Sequence, residues 1–136
     1  MTLLCDAIGE GSVSKCRQLL ASGSNVEERD KAGWTPLQIA ASKGYTELCQ
    51  LLLDRGKAEI EETDADGNTA LNLATSNGHA STVALLLSRK ARVDLKNKKG
   101  FTPLLTAANK GYTEVCELLL DKGKADMTNC KINGTV

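Results

Sequence analysis

Between Pro36 and Gly44, apolar and small residues recur at helical spacing. Leu37, Ala40 and Ala41 stand at i, i+3 and i+4, one stripe whose alanines let a partner helix come close. Thr35 carries a hydroxyl able to cap the first turn. Pro36 takes the first helical position, where its missing N–H costs nothing, and Gly44 suits the left-handed turn that closes a helix. After this polar break, Leu48, Leu51 and Leu52 mark the buried side of a second helix that starts near Thr46 and closes before Gly56. The pattern predicts two short helices in succession.

The same grammar returns twice. G-W-T-P-L-Q-I-A-A-S-K-G at 33–44 is followed by G-N-T-A-L-N-L-A-T-S-N-G at 67–78 and G-F-T-P-L-L-T-A-A-N-K-G at 100–111, with first glycines 34 and then 33 residues apart. Thr69 and Thr102 repeat the cap and Pro103 repeats the proline. Residues 1–29 form a first unit, 30–63 a second, 64–96 a third and 97–130 a fourth, and 131–136 match the opening of a fifth. In the first unit Lys15 and Gln18 stand where the second has Leu48 and Leu51, the mark of a solvent-facing cap, so the start of the fold is expected to lie within the chain.

The third unit departs from the pattern. Ala70 replaces proline, Thr75 replaces the second alanine, and Lys90 stands where Gly23, Gly56 and Gly123 end their helices. A lysine in a left-handed cap costs roughly 1 kcal/mol against glycine, so this unit is expected to be the softest. One extra residue after Gly56 and after Gly123, in G-K-A-E and G-K-A-D, should bulge a surface loop. Because no polar closing unit is present, Val115, Leu118 and Leu119 are expected to border an exposed face. That face would be the cut edge of a longer array, or an edge covered by another chain, self-association included.

A period near 33 whose unit opens T-P-L-x-x-A-A resembles the ankyrin repeat family over nearly the whole chain. The resemblance implies an all-α solenoid of stacked helix-turn-helix units with projecting β-turn or hairpin loops. It also implies a concave binding surface made by turn tips and first-helix surfaces. Carried onto this chain, the turn sites are Arg29, Lys31, Ala32 and Trp34, then Thr63, Ala65, Asp66 and Asn68, then Lys96, Lys98, Lys99 and Phe101. The helix sites are Ser42 and Lys43, Ser76 and Asn77, Asn109 and Lys110. Trp34 and Phe101 occupy equivalent positions and either pack on neighbouring turns or anchor a partner. The histidine of the family's T-P-L-H is Cys5, Gln38, Asn72 and Leu105 here, so its hydrogen bonds between units are expected to be weakened or lost.

Seventeen basic and seventeen acidic residues cancel, so no global field favours nucleic acid or an anionic membrane. Lys31, Lys43, Lys98, Lys99 and Lys110 would nevertheless make the concave groove basic, which favours an acidic peptide or protein surface as partner. Only 3% of residues are aromatic, so the core must be built from Leu, Ala, Val and Ile at close helix contacts. No apolar run approaches a membrane span and no signal-type leader follows Met1; a cytoplasmic location is the default and a nuclear one the alternative. Of five cysteines, Cys16, Cys49 and Cys116 share one repeat position with Val83, which reads as a buried apolar site. Cys5 and Cys130 fall elsewhere and no C-x-x-C pair occurs, so the thiols are expected to be structural, in a reducing compartment.

The residues offer little chemistry. His79 is the one histidine, in the slot held by Tyr45 and Tyr112 in other units, and reads as a structural turn residue. Glu59, Glu61, Glu62, Asp64, Asp66 and Gly67 resemble half of a calcium loop without its closing glutamate and read as a solvated loop. Gly9–Lys15 lacks the G-K-[ST] ending of a phosphate loop. Asn133-Gly134-Thr135 would accept a glycan only in a secreted protein. We therefore expect no enzyme, cofactor or metal site. The expected site is a partner-binding surface of Lys31, Trp34, Ser42, Lys43, Asp66, Asn68, Asn77, Lys98, Lys99, Phe101, Asn109 and Lys110. Two roles fit it, a small inhibitor or adaptor in its own right and an interaction module of a larger enzyme or channel.

Overall fold

The structure, a computed structural model, describes residues 3–122. Among these it has eight helices and no strand: α1 (Leu3–Glu10), α2 (Val13–Ala21), α3 (Pro36–Lys43), α4 (Thr46–Asp54), α5 (Ala70–Ser76), α6 (Ala80–Ser88), α7 (Pro103–Lys110) and α8 (Thr113–Asp121). Each odd helix packs on the even helix that follows it. The odd helices α1, α3, α5 and α7 stack in one layer, and α2, α4, α6 and α8 stack in a second. The fold is an all-α repeat solenoid.

Local sequence sets the helix ends. The hydroxyls of Thr35, Thr69 and Thr102 accept from the backbone N–H of Gln38, Asn72 and Leu105 at 3.3, 3.3 and 3.2 Å, satisfying a donor the first turn would leave bare. Pro36 and Pro103 open α3 and α7. The core runs the length of the stack, with Leu4, Leu37, Leu71 and Leu104 from the first layer and Leu52, Leu86 and Leu119 from the second. Cys16, Cys49 and Val83 are fully buried at one repeat position, where Cys116 is half-buried. Cys130 and Gly123 lie outside the described residues.

The exits of the second-layer helices depart from expectation at one point. The carbonyls of Leu19, Leu52 and Leu86 are closed by the N–H groups of Ser24, Ala58 and Ala91, and the residue before each donor is left-handed: Gly23 (φ 88), Lys57 (φ 57) and Lys90 (φ 69). Lys90 adopts the strained cap predicted for it. The residue inserted after Gly56 shifts the left-handed position in that unit onto Lys57, so Gly56 is not the cap it was expected to be. Glycine is needed there for space instead: a Cβ on Gly56 would lie 2.7 Å from Val26 Cγ1 and 2.8 Å from the Leu52 carbonyl oxygen.

The far end also differs from expectation. Val115 and Leu119 are buried and Leu118 is half-buried, because α8 turns its apolar stripe onto α6 and α7. Among the described residues Phe101, 38% exposed, is the one large apolar side chain classed as exposed.

Candidate functional site

Between α2 and α3, α4 and α5, and α6 and α7 the chain makes three turns built alike. Asp30, Asp64 and Asn97 each donate their backbone N–H to the carbonyl four residues on, at 3.0 Å, and accept with their own carbonyl from Gly33, Gly67 and Gly100. The side-chain oxygen of each adds two bonds inside the turn: Asp30 Oδ1 to Ala32 and Trp34 N–H, Asp64 Oδ1 to Asp66 and Asn68 N–H, Asn97 Oδ1 to Lys99 and Phe101 N–H. This is the Asx-turn that Asp and Asn favour. Asp64 is therefore no solvated loop acid. It is 8% exposed and anchors its turn.

Neighbouring turns are stitched together. Trp34 Nε1 donates to Asp64 Oδ2 at 3.1 Å, Lys98 N–H to the Asp66 carbonyl at 2.9 Å, and Asn97 Nδ2 to Asn68 Oδ1 at 3.1 Å. Glu27 accepts from Glu59 N–H and Glu61 from Arg92 N–H, while Arg29 reaches Glu62 and the Thr63 carbonyl. The acidic run thus serves as inter-turn pairing. The first-layer helices are tied at their ends as well: Asn77 Nδ2 donates to the Ser42 carbonyl and hydroxyl, and Lys110 Nζ to those of Ser76.

At the position of the family histidine the expected weakening or loss of bonds between units is corrected at Gln38 alone. Gln38 Nε2 donates to the Glu62 carbonyl at 2.9 Å while its Oε1 accepts from Thr35 N–H at 2.9 Å. Cys5 Sγ lies 3.7 Å from the equivalent Glu28 carbonyl. The bond to the next turn survives at Gln38 and is lost at Asn72, one methylene shorter, whose Oδ1 and Nδ2 are both buried with no protein partner among the described residues.

Where the second and third of these turns meet α5 and α7, a groove of about 290 Å³ opens. It gathers Asp66, Asn68, Lys98, Lys99, Phe101, Asn109 and Lys110 of the sequence-predicted set, and adds Asn72, Leu73, Ser76, Asn97 and Thr106. Three lysines face one aspartate, so the rim is basic on a neutral chain. Lys98 and Lys99 are exposed and make no ion pair among the described residues. Lys31, Trp34, Ser42, Lys43 and Asn77 lie outside the groove. Lys31 and Lys43 are exposed, and Trp34 is half-buried against the core and held by Asp64. Trp34 thus packs on its neighbouring turn while Phe101 stands at the groove. Asn72 was legible as one of four departures in the histidine column, but its place beside the groove was not.

His79 is structural. Its Nε2 lies 2.9 Å from the Ser42 carbonyl, an atom that only accepts, so Nε2 holds the proton. The described residues contain no group of three or more His, Cys, Asp and Glu able to hold a metal ion, and no helix long and apolar enough to cross a membrane.

A stack of helix pairs with stitched turns and a groove along turn tips and first helices defines a helical repeat solenoid. Residues 4–97 match the family described as "Ankyrin repeats (3 copies)", and residues 99–133 match "Ankyrin repeat". The chain belongs to the ankyrin repeat family. It is 38% identical over 123 residues, 90% of its length, to the Ankyrin repeat and KH domain-containing protein mask-1 of Caenorhabditis elegans. It is 38% identical over 112 residues, 80% of its length, to the mouse Ankyrin repeat, SAM and basic leucine zipper domain-containing protein 1, and 37% identical over 108 residues, 77%, to the human protein of that name. The chain spans 5% of the nematode protein and 24% and 23% of the other two, so the matched stretches are segments of larger proteins.

Proposed function

We propose that this chain is a non-enzymatic binding protein that holds an acidic segment of another protein in its concave groove, as an adaptor or small inhibitor. The observation that carries this reading is the contrast between a chain with no net charge and a groove rimmed by Lys98, Lys99 and Lys110 beside exposed Phe101. Rim charges steer encounter, and aromatic side chains are over-represented in interface cores. A second reading, an interaction module of a larger protein, is favoured by the small share of each relative that the chain spans. Buried thiols suit a reducing compartment, and we place the chain in the cytoplasm, with the nucleus as alternative.

The partner should be isolated by capture from source cells with mass spectrometry, and its affinity for variants then measured. Phe101→Ala should lose about 2 kcal/mol of binding with helicity intact. Charge reversal at Lys98 and Lys99 should slow association, more so at low salt. Glu47→Lys, exposed on the opposite helix layer, should change little. Normal binding by the folded groove variants, with binding abolished by Glu47→Lys, would overturn the reading.

A further inference from the structure

The last residues of α2, α4 and α6 share one repeat position, held by Ala21, Asp54 and Ser88, and the residues that follow them are Ser22, Arg55 and Arg89. Between the second and third units this position makes an ion pair. The Arg89 guanidinium donates from Nη1 and Nη2 to the two carboxylate oxygens of Asp54, the bidentate fork that sets arginine apart from lysine. Between the first and second units Arg55 stands in the place of Arg89, but the place of Asp54 is taken by Ala21. The arginine is there and its carboxylate is not.

A cavity of about 220 Å³ opens between α2 and α4 at this point, lined by Arg17, Leu20, Ala21, Leu51 and Arg55. Leu20 and Leu51 are half-buried against the core, while Arg17 and Arg55 are exposed. The Arg55 side chain has no partner among the described residues. Arg17 Nη2 comes only within 3.9 Å of Glu47 Oε2, too far for a hydrogen bond. We propose that this crease is a second interface, and that it takes a segment of a partner protein in which the side-chain carboxylate of an aspartate or glutamate stands beside an apolar side chain. The partner's carboxylate fills the role that Asp54 fills one unit on, and the apolar side chain lies on Leu20 and Leu51.

The chemistry selects this occupant. Two guanidinium groups at one cavity repel a cationic segment, and a neutral apolar segment would cover their donors without giving them an acceptor. A carboxylate matches the fork geometrically, and it is the group the fold itself uses at the equivalent junction. The crease belongs to the second helix layer and shares no residue with the concave groove of the turns and first layer, so the second interface stands or falls apart from the first.

The test selects random peptides displayed on phage against the full chain carrying Lys98→Glu and Lys99→Glu, which turns the concave groove against acidic peptides. Fusion to the coat protein leaves the peptides no free C-terminus, so an enriched carboxylate is a side chain. Peptides that join Asp or Glu to an aliphatic residue should be enriched. A synthetic peptide from this selection should lose about tenfold or more in affinity on Arg55→Gln, as for a charge-assisted bidentate contact. Ala21→Asp, which gives the first unit the carboxylate that Asp54 gives the second, should close the site with a similar loss, while Ala21→Asn, of the same size without the charge, should bind nearly as well as Ala21. Circular dichroism checks that each variant is folded. Should either Ala21 variant fail to fold, Arg55→Gln and replacement of the peptide's acidic residue by its amide decide alone. Selection without an acidic and aliphatic preference, a peptide held equally well by Arg55→Gln, or a loss on Ala21→Asn as large as on Ala21→Asp overturns the inference. Displacement of the peptide by an equal concentration of sodium butyrate also overturns it, in favour of a small free acid.

Discussion

The imidazole of His79 occupies the space that a side chain on Gly44 would need: a Cβ there would lie 2.6 Å from His79 Nδ1. Tyr112 stands in the same way beside Gly78 but less tightly, at 3.2 Å, while Tyr45 beside Gly11, at 3.4 Å, is at ordinary contact distance. Gly44 is also left-handed, with φ 74. Gly44→Ala therefore adds backbone strain to overlap and should cost about 2 to 4 kcal/mol in urea unfolding. Gly44→Ala with His79→Ala should cost less than the two single losses added together, since the residues touch. Additive losses would mean that the ring does not set the limit.

Trp34 and Phe101 share a repeat position but should part in experiment. Trp34→Phe keeps a ring and removes the Nε1 bond to Asp64, so it should lower stability by about 1 kcal/mol. Phe101→Ala removes a ring that is 38% exposed and should leave the melting temperature nearly unchanged while weakening partner binding. The reverse order of effects would mean that the two rings have been assigned the wrong way round.

Lys57 and Lys90 hold left-handed backbone with φ of 57 and 69. Replacing either with glycine should stabilise the fold by up to about 1 kcal/mol, the strain relieved outweighing the entropy added to the unfolded chain. A lower melting temperature for Lys90→Gly would count against strain at that cap.

Burial holds the Cys49 thiol at about 12, and burial with the nearby Glu28 carboxylate does the same for Cys5. Both pKa values are raised above the 9.0 of an exposed thiol, so the stability these groups contribute is intact below 9.0 and is lost as pH rises toward about 12. Cys49→Val, which installs the residue Val83 supplies in the next unit, should reduce that alkaline loss in urea midpoints measured on either side of the thiol range. In native protein at neutral pH, Cys5 and Cys49 should resist iodoacetamide until urea is added.

What the sequence made legible was local or periodic. Threonine caps, the prolines, the Leu48–Leu52 stripe and the strained Lys90 each follow from a few adjacent residues read against their repeat. What stayed hidden depended on atoms one unit away. Asp64 looked like part of an acidic loop, yet it closes its own turn and receives Trp34 Nε1 from the previous one. The Asx spacing in Asp30, Asp64 and Asn97 could have revealed the first role but not the second. Gly56 lost its cap because one inserted residue moved the left-handed position onward. Val115 and Leu119 read as an open edge because the pattern says which residues form a stripe and not which neighbour the stripe faces.

Gln38 and Asn72 occupy one repeat position and differ by a methylene, which makes them a controlled pair for the worth of a buried amide. Gln38 is 1% exposed with both ends bonded, to Glu62 and to Thr35. Gln38→Leu would leave the Glu62 carbonyl and the Thr35 N–H without those partners, and should cost about 2 to 4 kcal/mol. Asn72 has no bond to lose, and leucine adds apolar surface to a buried site, so Asn72→Leu should be neutral or stabilising by about 1 kcal/mol in the absence of partner. Paired urea titrations of the two variants against wild type decide the matter. A large loss for Asn72→Leu would reveal a partner inside the fold, such as a water shared with the buried hydroxyl of Thr75.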